Sequence, residues 1–183
     1  MRTVSQAILT CGIALAIPMT ALVGQADKEA KIQDAVSAAP PALATDATVK
    51  DWEGNVLKEG TNAYTCMPTP PGLPGNAPMC LDGPWLEWAE AWQNKTPPML
   101  SGTGVAYMLA GDAGASNTDP YATEKTATND WVEAGPHLMI IVPDANMLEG
   151  ITTDHSKGVP WVMWKGTPYA HIMVPLGRQH GGH

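Results

Sequence analysis

Cys66 and Cys80 bracket Met67-Pro-Thr-Pro-Pro-Gly-Leu-Pro-Gly-Asn-Ala-Pro-Met79. Its prolines and glycines are unsuited to a helix interior or a central strand. Two cysteines at this separation in an exported chain most simply form one disulfide that closes the loop. Chain-entropy arguments value such a closure at about 3 kcal/mol. A redox role would call for a closely spaced Cys-x-x-Cys pair, which is missing. Met67 and Met79, each next to a cysteine, are expected to cover the disulfide with apolar surface, their other use being as extra soft metal ligands.

Export is read from the first residues. Arg2 precedes an apolar stretch from about Ala7 to Val23, and Gly24-Gln25-Ala26 offers small residues at cleavage positions. Residues 1–26 therefore read as a signal peptide and Asp27 as the first residue of the mature chain. Pro18 and Thr20 weaken the stretch as a retained anchor, and Thr10 before Cys11 is a poor residue for lipoprotein processing. The expected location is periplasmic or secreted, with no stable membrane insertion once the signal is removed. Residues 27–176 suffice for one globular domain, and 177–183 read as a flexible tail. A net charge of −8 with no basic stripe argues against nucleic acid or an anionic membrane as partner.

Helix formers from Asp27 to Ala39, with Ile32, Ala35, Val36 and Ala39 on one face, predict a short helix ended by Pro40-Pro41. Thr48–Trp52 and Val56–Lys58 flank Glu53-Gly54-Asn55 as a hairpin, and Asn62–Met67 reads as a third strand. Asp82-Gly83-Pro84 supplies a cap and a first-turn proline for a helix carrying Trp85, Trp88 and Trp92 on one side. That stripe reads as core; its functional alternative is an aromatic platform for a sugar or another flat ligand. Further strands are expected at Val105–Ala110, His137–Val142, Val159–Trp164 and Tyr169–Val174. The fold class is α+β: a mainly antiparallel sheet, the tryptophan-rich helix packed on one face, and one disulfide-closed loop.

Chemistry is concentrated in His137-Leu-Met139 and His171-Ile-Met173. Strand side chains alternate, so each histidine shares a face with its methionine. Imidazole nitrogen with thioether sulfur suits copper, above all Cu(I), better than zinc, calcium or magnesium. Pairing His137 opposite Met173 would place Met139 opposite His171 and converge four donors. If Val159–Trp164 intervened, the quartet would break and Met163 could join one of the pairs. The competing use is as core, with methionine filling a chain that has no phenylalanine and each histidine hydrogen-bonded. His180 and His183 in the tail could assist metal capture, although a solvated tail is the default.

Between the first two of these later strands, Asp112, Asn117 and Asp119 offer oxygen ligands, but their spacing fails the calcium-loop pattern. Asx-type turns are expected there instead. An enzyme would use Asp112, His137, Asp144 or His171 as acid–base groups near strand ends. A third possibility is a module that binds a small ligand or a protein without metal. If copper is bound, a metal-transfer partner is the corresponding expectation.

At Gly60-Thr-Asn-Ala-Tyr-Thr-Cys-Met-Pro68, Tyr107-Met-Leu-Ala-Gly-Asp112, Gly135-Pro-His-Leu-Met139 and His171-Ile-Met-Val-Pro175, the chain resembles a group of uncharacterised exported bacterial proteins. The likeness covers most of the mature chain. It implies export and one domain, and it transfers no catalytic residue. Periplasmic copper chaperones also use His and Met at short spacing, but their full spacing is not reproduced here.

Overall fold

In the computed structural model, which describes residues 19–177, helix α1 spans Met19–Val36. Residues 1–18 of the expected export segment 1–26 and the tail histidines His180 and His183 lie outside the described residues, while residues 19–26 belong to α1, which runs across the expected cleavage position. Helix α1 ends three residues before Ala39 and gives way to a turn in which Ser37 N–H donates to the Asp34 carbonyl. Pro41 then opens a short helix, α2 (Pro41–Ala44), since a proline fits a first helical turn where its missing N–H has no role. Among the described residues no helix is long and apolar enough to cross a membrane.

Strands β1 (Thr48–Lys50) and β2 (Val56–Lys58) form the expected antiparallel hairpin. Asp51 accepts from the amides of Glu53 and Asn55 to shape its turn. The third strand, β3 (Thr65–Met67), pairs with β1 in parallel and with β4 (Met79–Leu81) antiparallel. Sequence reasoning missed β4 because it is three residues long and abuts the proline-rich loop. Cys66 sits opposite Cys80 in that ladder and the two form the disulfide. Beyond β4 come β5 (Gly104–Met108), β8 (His137–Ile141), β10 (His171–Pro175) and β9 (Trp161–Met163), each pair antiparallel. The eight strands thus form one sheet, parallel only at β1–β3. The loop after β5 carries a separate small ladder of β6 (Ala115–Ser116) and β7 (Trp131–Val132).

Two layers cover the sheet. Helix α1 buries Ala35 with Val49, Cys66 and Cys80, which places the disulfide beneath it. On the opposite face, helix α3 (Gly83–Gln93) buries Trp85 and Trp88 against Met139, Ile141 and Met173. This is the α+β arrangement expected, with the tryptophan stripe as core.

Asp82 fixes α3 in place. One carboxylate oxygen accepts from Trp85 N–H at 3.1 Å and caps the helix; the other accepts from Val105 N–H of β5 at 2.6 Å. The approach is close enough to require glycine at 104, where a Cβ would meet that carboxylate at 2.9 Å and Ile141 at the same distance. Losing an N-cap costs typically ~1 kcal/mol, and a charge-assisted bond to a strand amide adds a comparable amount. Asp82→Ala is therefore expected to lower unfolding free energy by about 2 kcal/mol in urea denaturation, and a change below about 0.5 kcal/mol would show that the clamp does not hold the helix.

Candidate functional site

The face beneath α3 encloses a cavity of about 410 Å³. Its floor carries every second residue of the central strands: Met108 of β5, Met139 of β8, Met163 of β9, and His171 and Met173 of β10. Its wall is the tryptophan stripe of α3 together with Trp164. Leu73 of the disulfide loop and the 113–120 segment form the rim, and the two loops meet there: a Cβ on Gly75 would lie 3.4 Å from the Cβ of Ala113.

Six of the chain's ten methionines border this one cavity. Of the others whose side chains are described, Met99 and Met147 are exposed. Met67 and Met79 are among the six and correct an expectation. They do not cover the disulfide, because strand neighbours face opposite ways; the cysteines turn toward α1 and the methionines toward the cavity.

The two His-x-Met strands are adjacent and antiparallel, but their register differs by two residues from the one that would converge all four donors. Met173 lies opposite Met139, and Pro175 opposite His137. All four side chains still share the buried face. The histidines stand on either side of the Met139–Met173 row, and His171 faces Met163 across β9. Strand β9 lies outside β10 rather than between the pair, so Met163 joins the His171–Met173 unit while β8 and β10 remain neighbours.

His171 is enclosed by aromatic rings. The indoles of Trp164, Trp85 and Trp88 stand edge-on to it at 5.0, 5.4 and 5.7 Å between centroids. Trp164 reaches this position through a left-handed backbone, φ +56°, an outlier for a bulky residue that costs of order 1–2 kcal/mol and must be held by its surroundings. Its indole N–H donates to the Ser116 carbonyl at 2.6 Å, and its ring stacks on Trp88. The His171 Nδ1–H donates to the Tyr169 carbonyl at 3.0 Å, which leaves Nε2 as the lone-pair nitrogen. Burial pushes its pKa down to about 4, so the ring is neutral at pH 7.

His137 repeats this arrangement. Its Nδ1–H donates to the Gly135 carbonyl at 2.7 Å, and Nε2 is buried without a partner, 3.9 Å from Asp112 Oδ2. Burial lowers the His137 pKa and raises that of Asp112. Asp112 Oδ1 accepts from the amides of Gly114 and Ala134, the first being the Asx turn expected here. Asp119 forms another with Tyr121, and the Asn117 amide donates to Asp130 and the Thr153 carbonyl, so the three oxygen residues do not converge as a calcium loop. Asp144 is an exposed cap of the turn Ala145–Leu148, away from the cavity. Of the acid–base candidates the fold brings Asp112 and His137 together. The tryptophan stripe offers no open platform, since Trp85 and Trp88 are 2% and 7% exposed.

Among the described residues no three His, Cys, Asp or Glu side chains gather in a metal-binding group, so any metal here must draw on thioether sulfur or water. Sequence reasoning missed Met108 and the cavity role of Trp164. Met108 lay visibly in an alternating strand, but its place opposite His137 depends on a register that alternation does not reveal. No protein-family model, curated protein or solved structure matches the chain.

The depressed His171 pKa sets a pH window for stability. Between about 4 and the ordinary value of 6.5 the unfolded chain binds the proton that the folded chain refuses, so stability falls as pH falls through that range. The contribution is complete above 6.5 and gone below 4, with a size of about 3 kcal/mol. Asp112, shifted upward, acts in the opposite sense. Metal-free wild type compared with His171→Leu by urea denaturation at pH 7 and pH 4 isolates the histidine; the variant's loss of stability on acidification is expected to be smaller by about that amount.

Proposed function

We propose that this is an exported protein that binds reduced copper in the cavity beneath α3, with His171 Nε2 as nitrogen ligand and thioether donors from Met163, Met173 and Met139. The observation that carries the reading is that six methionines line one cavity that is also lined by a neutral, buried imidazole whose tautomer is already set. A metal-ligating histidine commonly donates its other ring N–H to a carbonyl, as His171 does to Tyr169. Soft sulfur donors without net charge match a monovalent soft cation. The disulfide supports residence in an oxidising compartment, periplasmic or extracellular. A protein that donates or accepts copper is the partner this chemistry calls for.

A second reading rests on a separate observation. A space of about 410 Å³ is larger than one ion needs and falls within the range of small-ligand pockets. The buried Trp88 Nε1–H borders it without a hydrogen-bond acceptor. A small apolar molecule with one acceptor atom would satisfy that donor.

Titration of Cu(I) against a competing chelator tests the first reading. Wild type is expected to take up one equivalent with quenching of tryptophan fluorescence, as three indoles surround His171. Folded His171→Leu should bind at least ~10-fold more weakly, and Met163→Leu by a smaller factor. Failure of folded wild type to compete would remove copper and leave the small-molecule reading.

A further inference from the structure

The Asp112–His137 pair, whose carboxylate borders the cavity while its imidazole is buried behind it, is unexplained by a Cu(I) position at His171. His137 Nε2 and Asp112 Oδ2 face each other at 3.9 Å, and neither forms a hydrogen bond among the described residues. A direct bond between nitrogen and oxygen spans ~2.7–3.2 Å. A bridging water at roughly 2.8 Å from each atom would hold them ~4.6 Å apart. A first-row divalent ion at about 2.1 Å from each gives ~3.4 Å at a tetrahedral angle and ~4.2 Å when linear. The observed 3.9 Å is too long for a direct bond and lies closer to the spacing of two donors on opposite sides of one ion than to the tetrahedral spacing.

Both donors are held from behind. The second carboxylate oxygen accepts the amides of Gly114 and Ala134, and the second ring nitrogen donates to Gly135. Such outer bonds orient ligands at metal sites, and the one that the imidazole donates also raises its basicity. Met108 lies opposite His137 in the ladder, so the two side chains share a face with Cβ atoms ~4.5–5.5 Å apart, and it borders the cavity alongside Asp112. The Met139–Met173 row separates this position from the His171–Met163 row.

We infer that Asp112 and His137, with Met108, form a second metal position that takes a divalent transition-metal ion. An anionic oxygen beside an imidazole is a harder donor set than the thioethers around His171, and among the first-row divalent ions Cu(II) binds nitrogen and oxygen ligands most tightly. The position uses its own nitrogen and oxygen donors and does not depend on copper(I) binding at His171.

The test uses the full chain carrying His180→Gln and His183→Gln, so that tail imidazoles make no contribution. Cu(II) is the probe, followed by electron paramagnetic resonance and calorimetry. One equivalent is expected, with hyperfine coupling to a single imidazole nitrogen. Asp112→Asn, near in shape and able to keep its amide contacts, should weaken binding at least ~10-fold, and His137→Gln should abolish the nitrogen coupling. His171→Leu should leave Cu(II) binding unchanged while losing Cu(I). Should Asp112→Asn not fold, the nitrogen coupling in His137→Gln decides alone. Absence of Cu(II) binding by the folded protein, or an unaltered signal in His137→Gln, would overturn this inference. Cu(I) binding that survives either result would leave the His171 reading standing, and loss of Cu(I) binding alone would leave this one.

Discussion

One carboxylate sets the geometry on which the cavity depends. Asp82 caps α3 with one oxygen and binds the Val105 amide of β5 with the other, so the helix start is pinned to the sheet. The far end of the helix is tied by the Tyr169 hydroxyl, which donates to the Thr96 carbonyl just beyond the helix. Between these anchors the indoles of Trp85 and Trp88 hold the helix above the sheet, and the methionines fill only part of the space beneath. A phenylalanine-free core built on thioethers is adaptable, because methionine has several soft torsions and a polarizable sulfur.

The parts legible in the sequence were those governed by short-range rules. Alternation located β5, β8, β9 and β10 to within two residues at most ends, and it placed each histidine on the same face as its methionine. The Asp-Gly-Pro start of α3 was legible because capping and a first-turn proline are local effects. Pairing was not legible. A shift of two residues between β8 and β10 preserves every in-or-out assignment while exchanging which donors meet, so the pattern that identified the face could not choose between the quartet and the observed Met139–Met173 row. The parallel β1–β3 contact and the left-handed Trp164 were hidden for the same reason, since each is imposed by tertiary neighbours rather than by its own segment.

Both histidines are buried in places that disfavour charge, and this constrains any ion the cavity accepts. Isolated charges in a low-dielectric interior carry a solvation cost that rises steeply with valence. Around His171 the available donors are neutral: one imidazole and several thioethers. A monovalent ion there adds one charge, partly compensated by sulfur polarizability.

A divalent ion at the same place would bring twice the charge with no anion to offset it. Among the described residues Asp112 is the carboxylate that borders the cavity and stands beside the buried His137 imidazole, and it is itself largely withdrawn from water. Its ionised form is disfavoured by burial and would be favoured by a neighbouring cation, which would also satisfy the His137 nitrogen that lacks a partner. The sheet therefore separates two electrostatic environments along one face, with the Met139–Met173 row between them, and ionic charge rather than cavity shape would decide which end an ion prefers.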